Sequence, residues 1–333
     1  MPGCTDFELR KELMALGNRI WCALALPVAL GLLAPADCGA QQNPLIEGAQ
    51  RTQQQAPGAP SAPSRLPGIL EEPTPAFLGE GEEDFGTQMI MRPVPRKPWF
   101  KARLDWQGFY SSNILAQHDD EIDDFQMVST AEFSIAPPWS ERLRPRAGFR
   151  HQFFNFLGNG EFDFDAQTIF TDLDWEFAKG WEASLGYEYT RLLSAPLDRE
   201  EFFDEQVARL SLSRVFEINE RMFLALAYEC AARFTNPQPF SRDEHSLTAS
   251  YTQFLTDRLI WQAYYRFQYE DYFDNGDRND FQHIAGTMLA YHFNSWSSAG
   301  VQMSYLVNDS DQGELSDYEI WNGGVALNAT LRF

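Results

Sequence analysis

Twelve segments with alternating side-chain character constrain the fold of this chain most strongly. From Trp99 onward, apolar residues recur at every second position over runs of roughly 10–14 residues, the period of a β-strand with two different faces. The expected strands are 100–112, 124–136, 142–154, 166–178, 180–193, 205–217, 221–234, 244–256, 258–271, 281–293, 296–307 and 319–333. Short turns near Pro138, Lys179, Asn219, Asp257 and Asn294 recur about every 40 residues, with a longer connection between each pair. This repeating hairpin predicts an all-β chain folded as a transmembrane, antiparallel, up-and-down β-barrel of about 12 strands.

Two of the expected strands show their faces clearly. On the ninth, Trp261, Tyr265 and Tyr269 share a parity that we expect to face lipid, whereas Gln262 and Arg266 share the opposite, inward parity. The fifth strand repeats the pattern, and its lipid face is expected to carry Trp181, Ala183, Leu185, Tyr187 and Tyr189. The seventh strand is apolar on both parities, so its sequence does not decide which face points inward.

The last strand carries a resemblance to a known class. Its apolar residues alternate up to the terminal Phe333, within the segment VALNATLRF. This ending resembles the C-terminal signature of Gram-negative outer-membrane β-barrel proteins. The resemblance implies that Phe333 is an assembly signal recognised by the barrel-assembly machinery.

The N-terminal third has a different composition. The apolar run Ile20–Ala34 is too short to span a membrane as a helix, and the small residues that follow it suit signal-peptidase cleavage. We therefore interpret residues 1–40 as a signal peptide, with either Met1 or Met14 as the true start. Residues 41–98 are rich in Gln, Pro, Ala and Gly, which predicts a disordered periplasmic segment ahead of a barrel domain at 99–333.

Charge is concentrated at one end of the predicted barrel. The chain has 26 basic and 48 acidic residues, a net charge of −22 that argues against nucleic acid as a partner. The long connections and their strand edges hold 25 acidic residues against three basic ones, Arg199, Arg242 and Arg278. Long acidic loops are expected outside the cell, and short turns and both barrel ends in the periplasm. An exported chain would retain only Cys230 and therefore no intramolecular disulfide.

Inward-facing charges are the candidate functional residues. A basic set comprises Lys101, Arg103, Arg144, Arg146 and Arg150, and an acidic set comprises Asp172, Asp174, Glu176, Glu182 and Glu188. A symmetric loop near Gly160 would place Arg146 opposite Asp174 and Arg144 opposite Glu176. Two interpretations stay open: a transverse field that selects polar solutes, or ion pairs that satisfy a filled interior.

The sequence contains few patterns that are typical of catalysis or metal binding. No Ser-x-His cluster followed by Ser-Asn-Gly occurs, since His245 and Ser246 are merely adjacent, and Asp280 with His283 misses the Asp-x-His spacing. No enzyme activity and no catalytic residues are therefore expected. The connection DNGDRND contains Asp274, Asp277 and Asp280, which are weak candidates for oxygen ligands of Ca²⁺. The alternative is that this connection is a solvated turn. No cofactor is expected.

Together these patterns predict a monomeric outer-membrane barrel surrounded by lipid, acting as a porin-like passive channel for small polar solutes. Two alternatives are a plugged barrel with a structural or adhesive role and a secreted soluble β protein. Twelve strands do not decide between an open and a filled lumen, because eight-stranded barrels are filled and barrels of about 16–18 strands hold a clear channel.

Overall fold

A computed structural model describes residues 46, 48–51, 99–140, 142–195, 199–273, 278–312 and 316–333, and it contains the twelve expected strands in the expected order. They are β1 (Phe100–Ser111), β2 (Asp124–Ile135), β3 (Leu143–Phe156), β4 (Phe164–Ala178), β5 (Trp181–Ser194), β6 (Glu201–Asn219), β7 (Met222–Asn236), β8 (Arg242–Phe254), β9 (Leu259–Tyr272), β10 (Asn279–His292), β11 (Ser297–Ser310) and β12 (Tyr318–Arg332). The predicted boundaries are confirmed to within a few residues. The start of β6 differs most, since that strand begins at Glu201 rather than at residue 205.

The strands form one closed antiparallel barrel, as predicted. Each strand pairs with its neighbours in sequence, and β1 pairs with β12 in a register that places Leu104 beside Ala329. The seam is extended by two backbone hydrogen bonds between Phe100 and Phe333, each 3.0 Å long. Both ends of the barrel domain therefore lie at the same end of the barrel, here called the short-turn end; the opposite end, with the long connections, is called the loop end.

Polar side chains close the short turns. The Asn294 side chain accepts hydrogen bonds from the backbone N–H groups of Trp296 and Ser297, at 2.9 and 2.8 Å. The Thr256 hydroxyl accepts one from Leu259, at 3.0 Å. Gly180 adopts a φ of +74°, a conformation that favours glycine. These turn residues reverse the chain within a few positions and so fix the hairpin registers.

The exterior of the barrel is apolar and ringed by aromatic residues. Leu104 and Ile169 are about 60% exposed, although both lie on the middle of regular strands. Exposed aromatic residues near the short-turn end are Trp99, Trp139, Trp175, Phe177, Phe293, Trp296 and Phe333, and those near the loop end are Tyr110, Phe125, Phe234, Phe273, Phe281 and Trp321. An apolar band between two aromatic girdles is the surface of a transmembrane barrel and would not stay soluble in water. The predicted lipid-facing parities of β5, β9 and β12 are confirmed.

Within the described ranges, no helix combines the length and the apolar character needed to cross a membrane.

The β3–β4 register differs from the prediction by two residues. Arg146 lies beside Asp172, and Arg144 beside Asp174, so the expected pairs Arg146–Asp174 and Arg144–Glu176 are wrong. The connection contains a 3₁₀ turn at Gly160–Phe162, and β4 starts two residues earlier than predicted. The Asp124 carboxylate also fixes this connection, because it accepts hydrogen bonds of 2.9–3.0 Å from the backbone N–H groups at positions 158 and 159. The centre of the hairpin is thereby moved by one residue.

Part of the N-terminal segment lies inside the barrel. Ile46 and residues 48–51 have helical backbone and are buried, in contact with inward-facing residues near the loop end. At these five positions the structure differs from the expected disordered tail, because apolar contacts and an ion pair stabilise them, as described below. The expected signal peptide, residues 1–40, and the rest of the 41–98 segment lie outside the described residues.

Candidate functional site in the barrel lumen

Ion pairs along neighbouring strands dominate the lumen toward the short-turn end. Arg146 on β3 contacts Asp172 on β4 at 2.7 Å, and Arg144 on β3 contacts Glu182 on β5. Arg150 lies 3.5 Å from Glu188. All of these residues share the inward parity, so the barrel wall brings opposite charges together on its inner surface.

Arg209 on β6 links two of these pairs. Its Nη2 donates to Asp172 Oδ1 and its Nη1 to Glu188 Oε1, each at 2.7 Å. Asp172 therefore holds two guanidinium groups, Arg146 on one oxygen and Arg209 on the other. The aromatic ring of Phe170 lies beneath Arg146, with 4.9 Å between its centroid and the guanidinium carbon. The result is a continuous track of alternating charge across β3, β4, β5 and β6.

The remaining predicted residues lie on the same inner surface. Arg103 pairs with Asp105 on its own strand at 2.6 Å, and Lys101 lies two positions nearer the short-turn end. Asp174 accepts a hydrogen bond of 2.5 Å from Ser184, and Glu176 lies beside Glu182 in the β4–β5 register. The basic and acidic sets on β3, β4 and β5 do not face each other across the barrel, because these strands are consecutive in its wall. The role of these charges in selecting solutes stays a prediction.

A second charged cluster lies toward the loop end. Arg233 on β7 contacts Glu244 on β8 at 2.7 Å and Glu205 on β6 at 3.0 Å. Arg242 on β8 contacts Glu244 at 2.9 Å and Glu270 on β9 at 3.5 Å. Every one of these side chains is at least four-fifths buried. Buried charges of this kind are tolerated when each is paired, as these are.

Arg51 of the N-terminal segment completes this cluster. Its Nη1 and Nη2 donate to Glu270 Oε1 and Oε2, at 2.9 and 2.8 Å, a fork-to-fork geometry. Nη2 also lies 3.2 Å from the Tyr272 hydroxyl and 3.9 Å from Asp280 Oδ2. The side-chain amide of Gln282 faces the same guanidinium group. Arg51 and both carboxylates are at least 97% buried.

Apolar contacts position the segment that carries Arg51. Ile46 and Ala49 belong to one buried cluster with Ile114 and Leu115 of the β1–β2 connection. The inward-facing members of this cluster from the strands are Phe109, Val128, Phe154, Phe156, Phe164, Ala166, Leu192 and Phe203. Gly48 approaches the connection so closely that an added Cβ would stand 2.5 Å from the Ile114 carbonyl oxygen. The segment therefore fits against the loop end through both shape and charge.

The residues considered for catalysis or metal binding are separated. Asp280 faces the lumen and pairs with Arg278 at 2.6 Å, whereas His283 lies on the outward face and contacts Tyr265 at 2.7 Å. His245 likewise points outward, toward Tyr228. Of the candidate Ca²⁺ ligands, Asp274 and Asp277 lie outside the described residues. Among the residues that are described, no group of three or more His, Cys, Asp or Glu side chains is placed to hold a metal ion.

Sequence reasoning missed Arg51, Arg209 and Glu270 as site residues. Arg209 and Glu270 have the inward parity of their strands, so the alternation that placed the other charges would also have placed these two. Arg51 had no such signal, because it stands in a Gln-rich stretch without strand periodicity. The indirect signal was Glu270 itself, an inward carboxylate that lies beside a second one, Asp280, on the next strand.

No protein-family model matches the chain, and no curated protein sequence does. Among solved structures, an outer membrane channel from Pseudomonas putida F1 is similar at 12% identity and a TM-score of 0.48, covering 75% of this chain and 100% of that one. The NanC porin is similar at 10% identity and a TM-score of 0.42, covering 68% and 100%. The translocator domain of the autotransporter NalP from Neisseria meningitidis is similar at 12% identity and a TM-score of 0.39, covering 71% and 90%. The likeness to all three is one of barrel architecture.

Proposed function

We propose that this protein is a monomeric outer-membrane channel through which small polar solutes pass passively. The observation that carries the proposal is the inner surface toward the short-turn end. There, charged groups from four consecutive strands form a track along the wall, held by ion pairs of 2.7–3.5 Å. A surface of fixed, alternating charges replaces part of the hydration of a polar solute and is typical of channel interiors.

The character of the two ends of the barrel supports the proposed orientation. The acidic long connections suit the cell exterior, and the short turns suit the periplasm, together with the seam at Phe333. Lipid contacts the apolar belt, and the barrel-assembly machinery is the expected partner during insertion. Nucleic acid is not an expected partner, since the net charge of −22 would repel it.

A second candidate, a plugged barrel without transport, is favoured by the segment inside the loop end. Ile46, Gly48 and Arg51 contact the inner wall and the β1–β2 connection, where they take up space that a solute would need. The two candidates differ in whether the barrel conducts with this segment in place. A channel restricted by the segment conducts and gains conductance when the segment is removed, whereas a barrel plugged by the segment does not conduct while the segment is present.

Planar-bilayer recording separates these candidates. We expect the mature chain to form discrete channels, and a chain lacking residues 41–51 to conduct more. Arg146→Ala combined with Arg150→Ala should shift the ion preference toward cations, because it leaves Asp172 and Glu188 with less compensation in a passage of low dielectric constant. The shift should weaken near 1 M salt, where the Debye length is about 3 Å.

Arg214→Ala is the matched control, because Arg214 lies on the outward face against Trp181 and Phe216. It removes the same type of charge without touching the lumen, and the ion preference should stay that of the wild type. Absence of channels in the mature chain would refute the proposed function and favour the plugged barrel, whether or not the chain without residues 41–51 conducts.

A further inference from the structure

The pocket that holds Arg51 is built from the barrel wall. Glu270 on β9 is positioned by Gln268 at 2.6 Å and by the Tyr272 hydroxyl at 2.9 Å. Asp280 on β10 is positioned by Arg278, at 2.6 and 2.9 Å, and by Asn308 at 3.3 Å. Hydrogen bonds within the barrel wall therefore hold these two carboxylates, in addition to their contacts with Arg51.

Among the described residues, the wall alone leaves this pocket short of one positive charge. Glu270 and Asp280 lie directly beside each other in the β9–β10 register, and like charges in that position repel. Among the described side chains of the cluster, the wall supplies four carboxylates, those of Glu205, Glu244, Glu270 and Asp280, and three guanidinium groups, those of Arg233, Arg242 and Arg278. Arg51 is the fourth cation, and it comes from a part of the chain 219 residues away from Glu270.

The contacts select the shape of the cation as well as its charge. Both Nη atoms of Arg51 pair with the two oxygens of Glu270, and Nη2 also reaches the Tyr272 hydroxyl. A planar guanidinium group meets a carboxylate through two parallel hydrogen bonds, which a single ammonium group cannot do. The pocket is therefore matched to guanidinium and discriminates against the amine of lysine.

We propose that this pocket is a solute-binding site of the channel for small molecules that carry a guanidinium group, and that Arg51 occupies it as a tethered ligand. The inference rests on the proposed channel function and names its solute class. A covalent tether supplies Arg51 at an effective concentration on the order of mM, so an external solute such as L-arginine has to compete with it. When the solute displaces Arg51, the solute takes the place of the guanidinium at Glu270.

Calorimetric titration of the detergent-purified protein tests the binding site directly, with L-arginine, guanidinium chloride and L-lysine as probes. Arg51→Ala should bind L-arginine about tenfold more tightly than L-lysine, since only the former pairs bidentately. Guanidinium chloride should also bind. The wild-type protein should bind L-arginine about tenfold more weakly than Arg51→Ala, because its own side chain competes.

Glu270→Gln in the Arg51→Ala background should abolish L-arginine binding. Glu229→Gln in that background is the matched control, because Glu229 is another inward carboxylate that pairs with Arg266 away from the pocket, and binding should persist. Heat-modifiable electrophoretic migration verifies that each variant is a folded barrel. If folded Arg51→Ala does not bind L-arginine, or binds L-lysine equally well, the proposed site is refuted.

A bilayer recording tests the guanidinium site and the proposed channel function separately. In Arg51→Ala channels, L-arginine should produce transient reductions of current that Glu270→Gln removes. Binding by calorimetry from a barrel that forms no channels would support the guanidinium site and refute the proposed transport. Conducting channels with no L-arginine binding would leave transport in place and refute the site.

Discussion

Gly48 is the position at which the docking of the N-terminal segment is most sensitive to a small change. A Cβ added there would stand 2.5 Å from the carbonyl oxygen of Ile114 and 2.8 Å from the Cα atom of Leu115, against an ordinary contact distance of 3.4–4 Å. Both neighbours are backbone atoms, so no side-chain rotation relieves the overlap. Gly48→Val must therefore move the segment away from the β1–β2 connection.

The expected size of this effect follows from the overlap. Overpacking of a close contact costs about 1–3 kcal/mol, and the two γ-carbons of valine place Gly48→Val near the upper limit. Valine has a slightly better helix propensity than glycine, and this difference offsets only about 0.3 kcal/mol of the cost. A net cost of about 2–2.7 kcal/mol increases the undocked population about 30- to 90-fold.

Hydrogen–deuterium exchange measures that population. With mass-spectrometric detection, the peptide that covers residues 46–51 should exchange faster in Gly48→Val by this factor, because amides exchange through the undocked state. Gly323→Val is the control, since an added Cβ at Gly323 meets no atom within 4 Å. Wild-type exchange in Gly48→Val would refute the docking of this segment against the loop end.

Two further predictions concern assembly and orientation. Phe333→Ala keeps the backbone hydrogen bonds to Phe100 but removes a ring stacked on the Phe100 ring at 6.0 Å, so we expect less barrel in the outer membrane and more degradation in the periplasm, with export unchanged; quantitative fractionation checks this, and a wild-type amount in the outer membrane would contradict it. Epitopes inserted near Asp119, Asp277 or Asp311 should be labelled on intact cells, whereas those near Lys179 or Asn294 should not. Labelling of both sets, or of neither, would contradict the proposed orientation.

The sequence contained most of the fold because the alternation of side chains is a local property. A strand between lipid and a polar lumen must alternate at every position, so faces and approximate boundaries could be assigned on β5, β9 and β12. The β7 sequence did not decide its face, and the structure shows why. Phe223 and Ala225 face inward although they are apolar, and both are buried there.

What the sequence did not contain depends on distant parts of the chain. The β3–β4 register is set in part by Asp124, which lies before β3 and fixes the backbone at positions 158 and 159. The docking of Arg51 depends on Glu270 and Asp280, whose proximity appears only once β9 and β10 are paired. The composition of the N-terminal segment predicts disorder in water, but it does not take into account the contact of Arg51 with the buried carboxylate of Glu270.

The seam between β1 and β12 has a consequence for how the barrel can form. Lys101 pairs with Arg332, so the closing contact joins the first and last strands and has the longest sequence separation of any strand pair in the barrel. Contacts of such separation form slowly, because the entropy lost on closing the long intervening chain opposes them. Until then the growing sheet has two unpaired edges, and each offers its backbone to a strand of another chain. Up to the moment of closure, aggregation between copies competes with folding of the barrel.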